Sequence, residues 1–167
     1  MPNNLRKGGA IALETEKLLD SIGWRILQEL QQDARLSFAE LARRVSLSTP
    51  SVIERVHRLE EVGIISGYHA AVDLAKVGLP INALMQLAVW NDADFQVAEV
   101  LAQTPEVFEC HRVTGENCYV CKVSVSSIKH LEELISRLSR YGRPTTSLIL
   151  SSPVIRRVVE PNSTRAS

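Results

Sequence analysis

A short hydroxyl-rich break followed by long cations is a pattern suited to nucleic acid, and this chain carries one between residues 46 and 58. Thr49, Ser51, Glu54, Arg55, His57 and Arg58 fall on one side of a run whose other side holds Val52, Ile53, Val56, Leu59 and Val62. Short donors at a helix N-terminus reach base edges, and guanidinium groups beside them reach phosphates. Two packed helices with a solvated outer face read the same way, so the surrounding charge matters. Residues 35 to 58 hold Arg35, Arg43, Arg44, Arg55 and Arg58 against Glu40 and Glu54, whereas the whole chain balances 19 Lys+Arg with 19 Asp+Glu. A concentrated basic patch on a neutral chain points to a localised contact with double-stranded DNA. The sequence pI of about 6.9 is below that of a binder relying on charge alone, so a dimer presenting two such helices is expected to supply the remaining affinity.

A second constellation is Thr114-Gly115-Glu116-Asn117. A glycine-containing turn can aim successive backbone N–H groups at one point, making an anion-binding concavity beside the Glu116 carboxylate, and a zwitterionic amino acid matches both halves. An ordinary hairpin turn is the alternative. Cys118 and Cys121 spell CYVC, yet residues three apart on a strand point to opposite faces, and no second cysteine pair completes a zinc site. With Gly115 and Glu116 as a two-residue turn, Cys110 lies opposite Cys121, a pair to be bridged only under oxidation. His57, His69, His111 and His130 show no metalloprotease spacing, and no nucleophile elbow or phosphate loop is present. No catalytic residue, metal or cofactor is expected.

These residues must be positioned by a globular chain. At 167 residues, 45% hydrophobic and 23% charged, the composition suits one ordinary domain or two small ones. The longest apolar run, Ile81 to Trp90, is interrupted by Asn82 and Gln86 and falls short of the roughly 18 residues a membrane helix needs. The opening MPNNLRKGG lacks the apolar stretch and cleavage site of a secretory signal, so a cytoplasmic protein without a membrane partner is expected, its three cysteines free.

Residues 1–17 read as a flexible tail. Leu19, Ile22, Ile26, Leu27 and Leu30 give a first helix over 18–32, in which Gly23 costs on the order of 1 kcal/mol against alanine. Ser37 caps a second helix, with Glu40 completing a capping box and Leu41, Ala42 and Val45 along one side. After the Ser46-Leu47-Ser48 break, Ser48 or Thr49 caps a third helix, Pro50 sits where a missing N–H costs nothing, and Gly63 ends it. This is a helix-turn-helix domain spanning 18–67. A connecting strand and linker, residues 68–80 with the strand drawn from IISGYHAAVD, follow.

From Ile81 the order is strand (to Trp90), helix (Asp94 to Gln103), strand (Val107 to Thr114), strand (Asn117 to Ser124), helix (Ile128 to Tyr141), strand (Thr145 to Ser151). That is a ferredoxin-like βαββαβ domain, placed at 81–160 with a short tail, 161–167, after it, making the chain α+β overall. Such a sheet has helices on one face only. Leu84, Leu87, Val120, Val123 and Leu148 are expected on the other face, covered by a second copy of the chain.

The stretch LDSIGWRILQELQQDARLSFAELARRVSLSTPSVIERVHRLEEVGIISGY resembles the DNA-binding half of the Lrp/AsnC family of bacterial and archaeal regulators. VFECHRVTGENCYVCKV, with its V-T-G turn, and TTSLILSSPV resemble strands of that family's effector domain, so the likeness runs from about Leu18 to Val159. The resemblance implies a winged-type helix-turn-helix transcription factor that dimerises through ferredoxin-like domains, assembles further into tetramers or octamers, and responds to an amino acid bound between dimers. Carried over by position, Ser48, Thr49, Ser51, Arg55 and Arg58 meet DNA, while Thr114, Gly115, Glu116, Asn117 and Tyr119 border the effector, with Thr146 on the last strand a weaker candidate. Gly23 and Cys118 stand where the family usually has acidic residues. A neutral thiol neither holds an ammonium nor fixes a turn as an aspartate does, which leaves the effector's identity open. Two alternatives remain: an effector-independent architectural DNA-binding protein, and a decarboxylase of the same two-domain architecture using His111 and Arg112.

Overall fold

The computed structural model describes residues 15–90 and 94–161. The expected tails, 1–17 and 161–167, therefore lie outside the described residues except at 15–17 and 161.

Residues 15–18 are helical, and three further helices follow among the described residues of the first unit: α1 (Ser21–Gln32), α2 (Phe38–Val45) and α3 (Thr49–Glu61). Helix α1 starts later than its periodicity predicts because Asp20 intervenes as N-cap, its carboxylate accepting the Gly23 N–H at 2.7 Å. Ile26 and Leu27 from α1, Leu41, Ala42 and Val45 from α2, and Val52, Val56 and Leu59 from α3 close one core together with Leu18. Ile53 and Val62, expected in the buried stripe, are only partly covered, and of the two Val62 packs against the core.

The cost assigned to Gly23 is reversed by its surroundings. A Cβ there would lie 1.8 Å from the Leu18 carbonyl oxygen, so the glycine is what lets the chain before Asp20 pass close over α1.

The strand expected within residues 64–73 is not formed. This stretch is irregular and exposed from Ser66 to Asp73, with no ladder partner among the described residues. A strand is defined by pairing, and a weakly alternating pattern does not provide it. A short 3₁₀ turn, Ala75–Val77, follows.

The second unit contains β1 (Ile81–Val89), α4 (Asp94–Gln103), β2 (Val107–Arg112), β3 (Tyr119–Val125), α5 (Ile128–Leu138) and β4 (Gly142–Leu148). Its antiparallel sheet has the order β2-β3-β1-β4. Ala83, Met85 and Leu87 of β1 and Tyr119, Cys121, Val123 and Val125 of β3 pack with Val97, Leu101, Leu131, Leu134 and Leu138 of the helices. Leu87 and Val123 thus belong to the helix-covered core, not to the uncovered face. Leu84 and Leu87 are three apart on one strand and cannot share a face. Of the five residues expected on the open side, Leu84 is exposed there and Val120 is half-buried, whereas Leu148, paired with Ala83 of the core, lies on the helix side at the end of the sheet, where it is exposed.

Strand β4 begins at Gly142, three residues before the expected Thr145, because pairing with β1 resumes at Trp90, whose N–H donates to the Tyr141 carbonyl. By contacts the chain divides into residues up to Ala70 with those from Val154, and Ala71–Pro153. The segment after Val154, read as the end of the ferredoxin-like domain, groups instead with the helical unit: the Gln31 amide accepts the Val159 N–H at 2.9 Å and donates to the Val159 carbonyl at 3.2 Å.

Candidate nucleic-acid interface and effector turn

The candidate DNA-facing surface is built around the N-terminus of α3. Ser46 takes the left-handed conformation (φ 58°), ending α2 and turning the chain. Ser48, not Thr49, is the N-cap: its Oγ accepts the Ser51 N–H at 3.4 Å and lies 2.8 Å from the Ser51 Oγ. Both hydroxyls are exposed, beside half-buried Thr49 and exposed Pro50. The first N–H groups of a helix have no intrahelical partner, so this end offers a phosphate or base edge donors aligned with the helix dipole.

The cations divide by what already holds them. Arg58 is exposed, with only a loose 3.8 Å approach to Glu54. Arg35 is exposed, and its backbone N–H is given to Asp33. Arg43 binds Glu40 through two nitrogens, at 2.9 and 2.7 Å, yet stays 73% exposed. Arg44 spans Glu40 and Glu29, each at 2.8 Å, linking α2 to α1. Arg55 is committed furthest: its two terminal nitrogens donate to both Asp20 oxygens at 2.9 and 3.0 Å.

These pairings perturb the carboxylates. Hydrogen bonds from Arg43 and Arg44 hold the Glu40 carboxyl down to about 2. The Arg55 hydrogen bonds, offset in part by burial, hold Asp20 below its ordinary value. Glu40 therefore spends its carboxylate along α2; of the expected capping box, only the Ser37 half is made, its Oγ accepting the Glu40 N–H at 3.2 Å. Asp20 was not singled out in the sequence, since its partner lies 35 residues away. Its position just before an apolar-periodic run was the available signal.

The effector candidates sit at one end of the sheet. The Val113 N–H donates to the Cys118 carbonyl at 2.9 Å, so Thr114–Asn117 form a four-residue loop between β2 and β3 and the register is the one a two-residue turn would give. Gly115 has φ 115°, a conformation that favours glycine. Asn117 is drawn over the open face of the sheet, its Nδ2 donating to Gln86 Oε1 at 2.8 Å. Glu116 is almost fully exposed and approaches Arg143 at 3.9 Å. Thr114, Gly115, Glu116 and Asn117 are thus brought together.

Tyr119 and Thr146 are not placed with them. Tyr119 is 4% exposed and belongs to the helix-covered core. Thr146 pairs with Met85, whose side chain is in that core, and its buried Oγ1 has no hydrogen-bond partner. The neighbouring Thr145, paired with Gln86, is a β4 hydroxyl on the same side as Asn117. Gln86 and Arg143 were missed as site residues; Gln86 was noticed only for interrupting an apolar run.

A separate cluster has a structural character. Buried Glu106 accepts from His130 Nε2 at 2.9 Å and from the Arg137 guanidinium. Burial pushes its carboxyl up, and the hydrogen bonds outweigh that, leaving it below the ordinary value. Among the described residues no group of His, Cys, Asp and Glu converges as a metal site, and no helix is long and apolar enough to cross a membrane.

A helix-turn-helix unit with an exposed hydroxyl-and-cation face, accompanied by an α+β domain bearing an open sheet face, defines a DNA-binding regulator with a ligand domain of its own. Two family models match the chain, the second reaching past Val154: the AsnC-type helix-turn-helix domain covers residues 19–60 and the Lrp/AsnC ligand binding domain covers 89–159. The chain is 40% identical over 134 residues to the HTH-type transcriptional regulator LrpC of Bacillus subtilis (strain 168), a match spanning 80% of this chain and 92% of that one. It is 32% identical to the leucine-responsive regulatory protein of Rhizobium meliloti (strain 1021), over 70% of this chain and 77% of the relative. Among solved structures, B. subtilis LrpC superposes with a TM-score of 0.79 at 36% identity, covering 83% of this chain and 99% of that one. A transcriptional regulator from Neisseria meningitidis in complex with L-Met gives 0.81 at 28% identity, covering 87% and 98%. The chain belongs to the Lrp/AsnC family and is a DNA-binding transcriptional regulator with a ligand-binding domain. These relatives are regulators, and the decarboxylase alternative finds no support among them.

Proposed function

We propose that this regulator reads its operator with the N-terminal half of α3, as a homo-oligomer whose DNA affinity is set by an amino acid bound near Thr114–Asn117. The observation that carries the DNA half is the exposed Ser48–Ser51 hydroxyl pair at the α3 N-terminus with Arg58 exposed further along the same helix. Thr49, Arg35 and Arg43 extend that surface, while Arg44 and Arg55 act by holding α2 and α3 against α1.

The effector half is supported by the Asn117–Gln86 hydrogen bond, which fixes a polar loop beside the open sheet face, and by the L-Met complex of the Neisseria relative. An amino acid is matched by loop N–H groups for its carboxylate and by Glu116 for its ammonium. Self-association is supported by Leu84, 44% exposed at the middle of an otherwise uncovered sheet face, with Val120 beside it. Action in the cytoplasm, where DNA is accessible, goes with this reading.

The test is binding of purified protein to its own promoter region across a salt series, with and without each amino acid. Affinity falling steeply with salt, with a log–log slope of roughly 0.9 per phosphate neutralised, supports direct groove binding. Salt-independent binding, or none in dilute buffer, overturns it. DNA binding that no amino acid alters leaves the architectural reading in its place.

A further inference from the structure

Cys110 and Cys121 occupy directly opposed positions on β2 and β3, with their Sγ atoms 3.1 Å apart. Both are free thiols. The hydrogen bond from Val113 N–H to the Cys118 carbonyl fixes which cross-strand pairs are bonded. Alternating from it along the ladder, Arg112 with Tyr119 is non-bonded, His111 with Val120 is bonded, and Cys110 with Cys121 is non-bonded. At such positions the Cα atoms approach to about 4.5 Å, inside the window of about 4.4–6.8 Å that a disulfide spans. The backbone already stands where a bridge requires it.

The two thiols differ in access. Cys121 is buried in the sheet core, whereas Cys110 is exposed on β2, an edge strand. A small oxidant therefore meets Cys110 first, with Cys121 in contact behind it. Burial pushes the Cys121 thiol well above its ordinary value, so it is not the group that meets the oxidant first.

We propose that Cys110 and Cys121 are an oxidation site at which hydrogen peroxide installs an intrachain disulfide across β2 and β3. The Cys110 sulfur attacks the peroxide, forming an S–O bond and breaking O–O, and the departing hydroxide leaves as water with the thiol's proton. The Cys121 sulfur then attacks the Cys110 sulfenic acid, forming S–S and breaking S–O, and the hydroxide takes the Cys121 proton as a second water. Two thiols and one peroxide become one disulfide and two waters. Cys118, beyond the end of β3, is left as a free thiol.

The experiment treats the reduced full-length protein with stoichiometric hydrogen peroxide, quenches it, denatures and alkylates it, and counts modified thiols by intact mass. Of the three cysteines, one is expected to remain alkylatable, with the mass of the monomer reduced by two hydrogens and all three restored by dithiothreitol. Tryptic mapping should join the peptide ending at Arg112 to the peptide Val113–Lys122. Cys118→Ser should lose both remaining thiols on oxidation, assigning the bridge, while Cys110→Ser, altered at an exposed site, should keep both of its own. Three alkylatable thiols after peroxide, a covalent dimer through Cys110, a Cys110–Cys118 bridge, or sulfinic acid at Cys110 beside a free Cys121 would each overturn the proposal. The readout involves neither DNA nor effector, so its failure leaves the regulatory reading untouched.

Discussion

Arg55 of α3 grips both carboxylate oxygens of Asp20, the residue that caps α1. One side chain thereby sets the position of α3 against the start of α1, and one carboxylate serves as both cap and counter-ion. This separates Arg55 from Arg58, although both are cations on the same helix. Arg58→Ala is expected to weaken operator binding and lower the salt slope by about 1, with unfolding free energy changed by less than about 0.5 kcal/mol. Arg55→Ala should weaken binding and also destabilise. Asp20→Ala removes the cap and the pair together and should cost about 1–2 kcal/mol in urea unfolding. If Arg55→Ala leaves the urea midpoint where it was while abolishing binding, Arg55 is a direct DNA contact instead.

Acid should loosen the same unit. Asp20 and Glu40 both have folded values below their unfolded ones, Glu40 down to about 2. The stabilisation they give is therefore complete above the unfolded value near 4 and is lost as pH falls through the folded values. Between pH 6 and pH 3 the denaturant midpoint should drop, and Asp20→Asn should flatten that dependence. An unchanged slope in the variant would remove Asp20 from the account.

Gly23 is expected to resist substitution even by alanine. Helix propensity alone predicts a gain of up to about 1 kcal/mol for Gly23→Ala. The Leu18 carbonyl, 1.8 Å from where the Cβ would lie, forces a backbone shift instead. A net loss of about 1–3 kcal/mol in thermal or urea unfolding is the expected outcome; a more stable variant would show that the turn before Asp20 yields freely.

Titration with the twenty amino acids, methionine first, should identify a ligand that raises the thermal midpoint. At a hundredfold excess over its dissociation constant the stabilisation is about 2.7 kcal/mol, or roughly 5–10 °C for a chain of this size. Gln86→Ala, which frees Asn117, should shrink that shift without abolishing DNA binding. A full shift in the variant would place the ligand away from the loop.

The open sheet face should be sensitive to charge. Leu84→Asp adds a carboxylate to an exposed apolar position outside the helix-covered core, so its monomer should remain folded. In light scattering at micromolar concentration the wild-type chain should be a dimer or larger and the variant a monomer. An unchanged mass would move the self-association surface elsewhere.

Local signals carried most of the helical unit. Ser37, Ser48, Pro50 and Gly63 mark helix ends through rules that act within a few residues, and each stands at or next to the end it marks. The βαββαβ order was equally legible, because helical and alternating periods differ over windows of ten residues. What escaped depends on pairing at a distance. The ion pair of Asp20 with Arg55 leaves no trace in either local pattern. Tyr119 and Thr146 were assigned by position in a motif, yet the alternation of their strands turns both toward the helices. The stretch from Ser66 to Asp73 has apolar residues at strand-like spacing, and spacing cannot supply a neighbour to pair with.

The two hydrogen bonds between Gln31 and Val159 mean that linear order and structural membership diverge in this chain. The polypeptide passes from one unit to the other twice, near residue 70 and again near residue 153. A fragment ending at Ala70 would consequently lack the segment whose Val159 backbone its own first helix hydrogen-bonds.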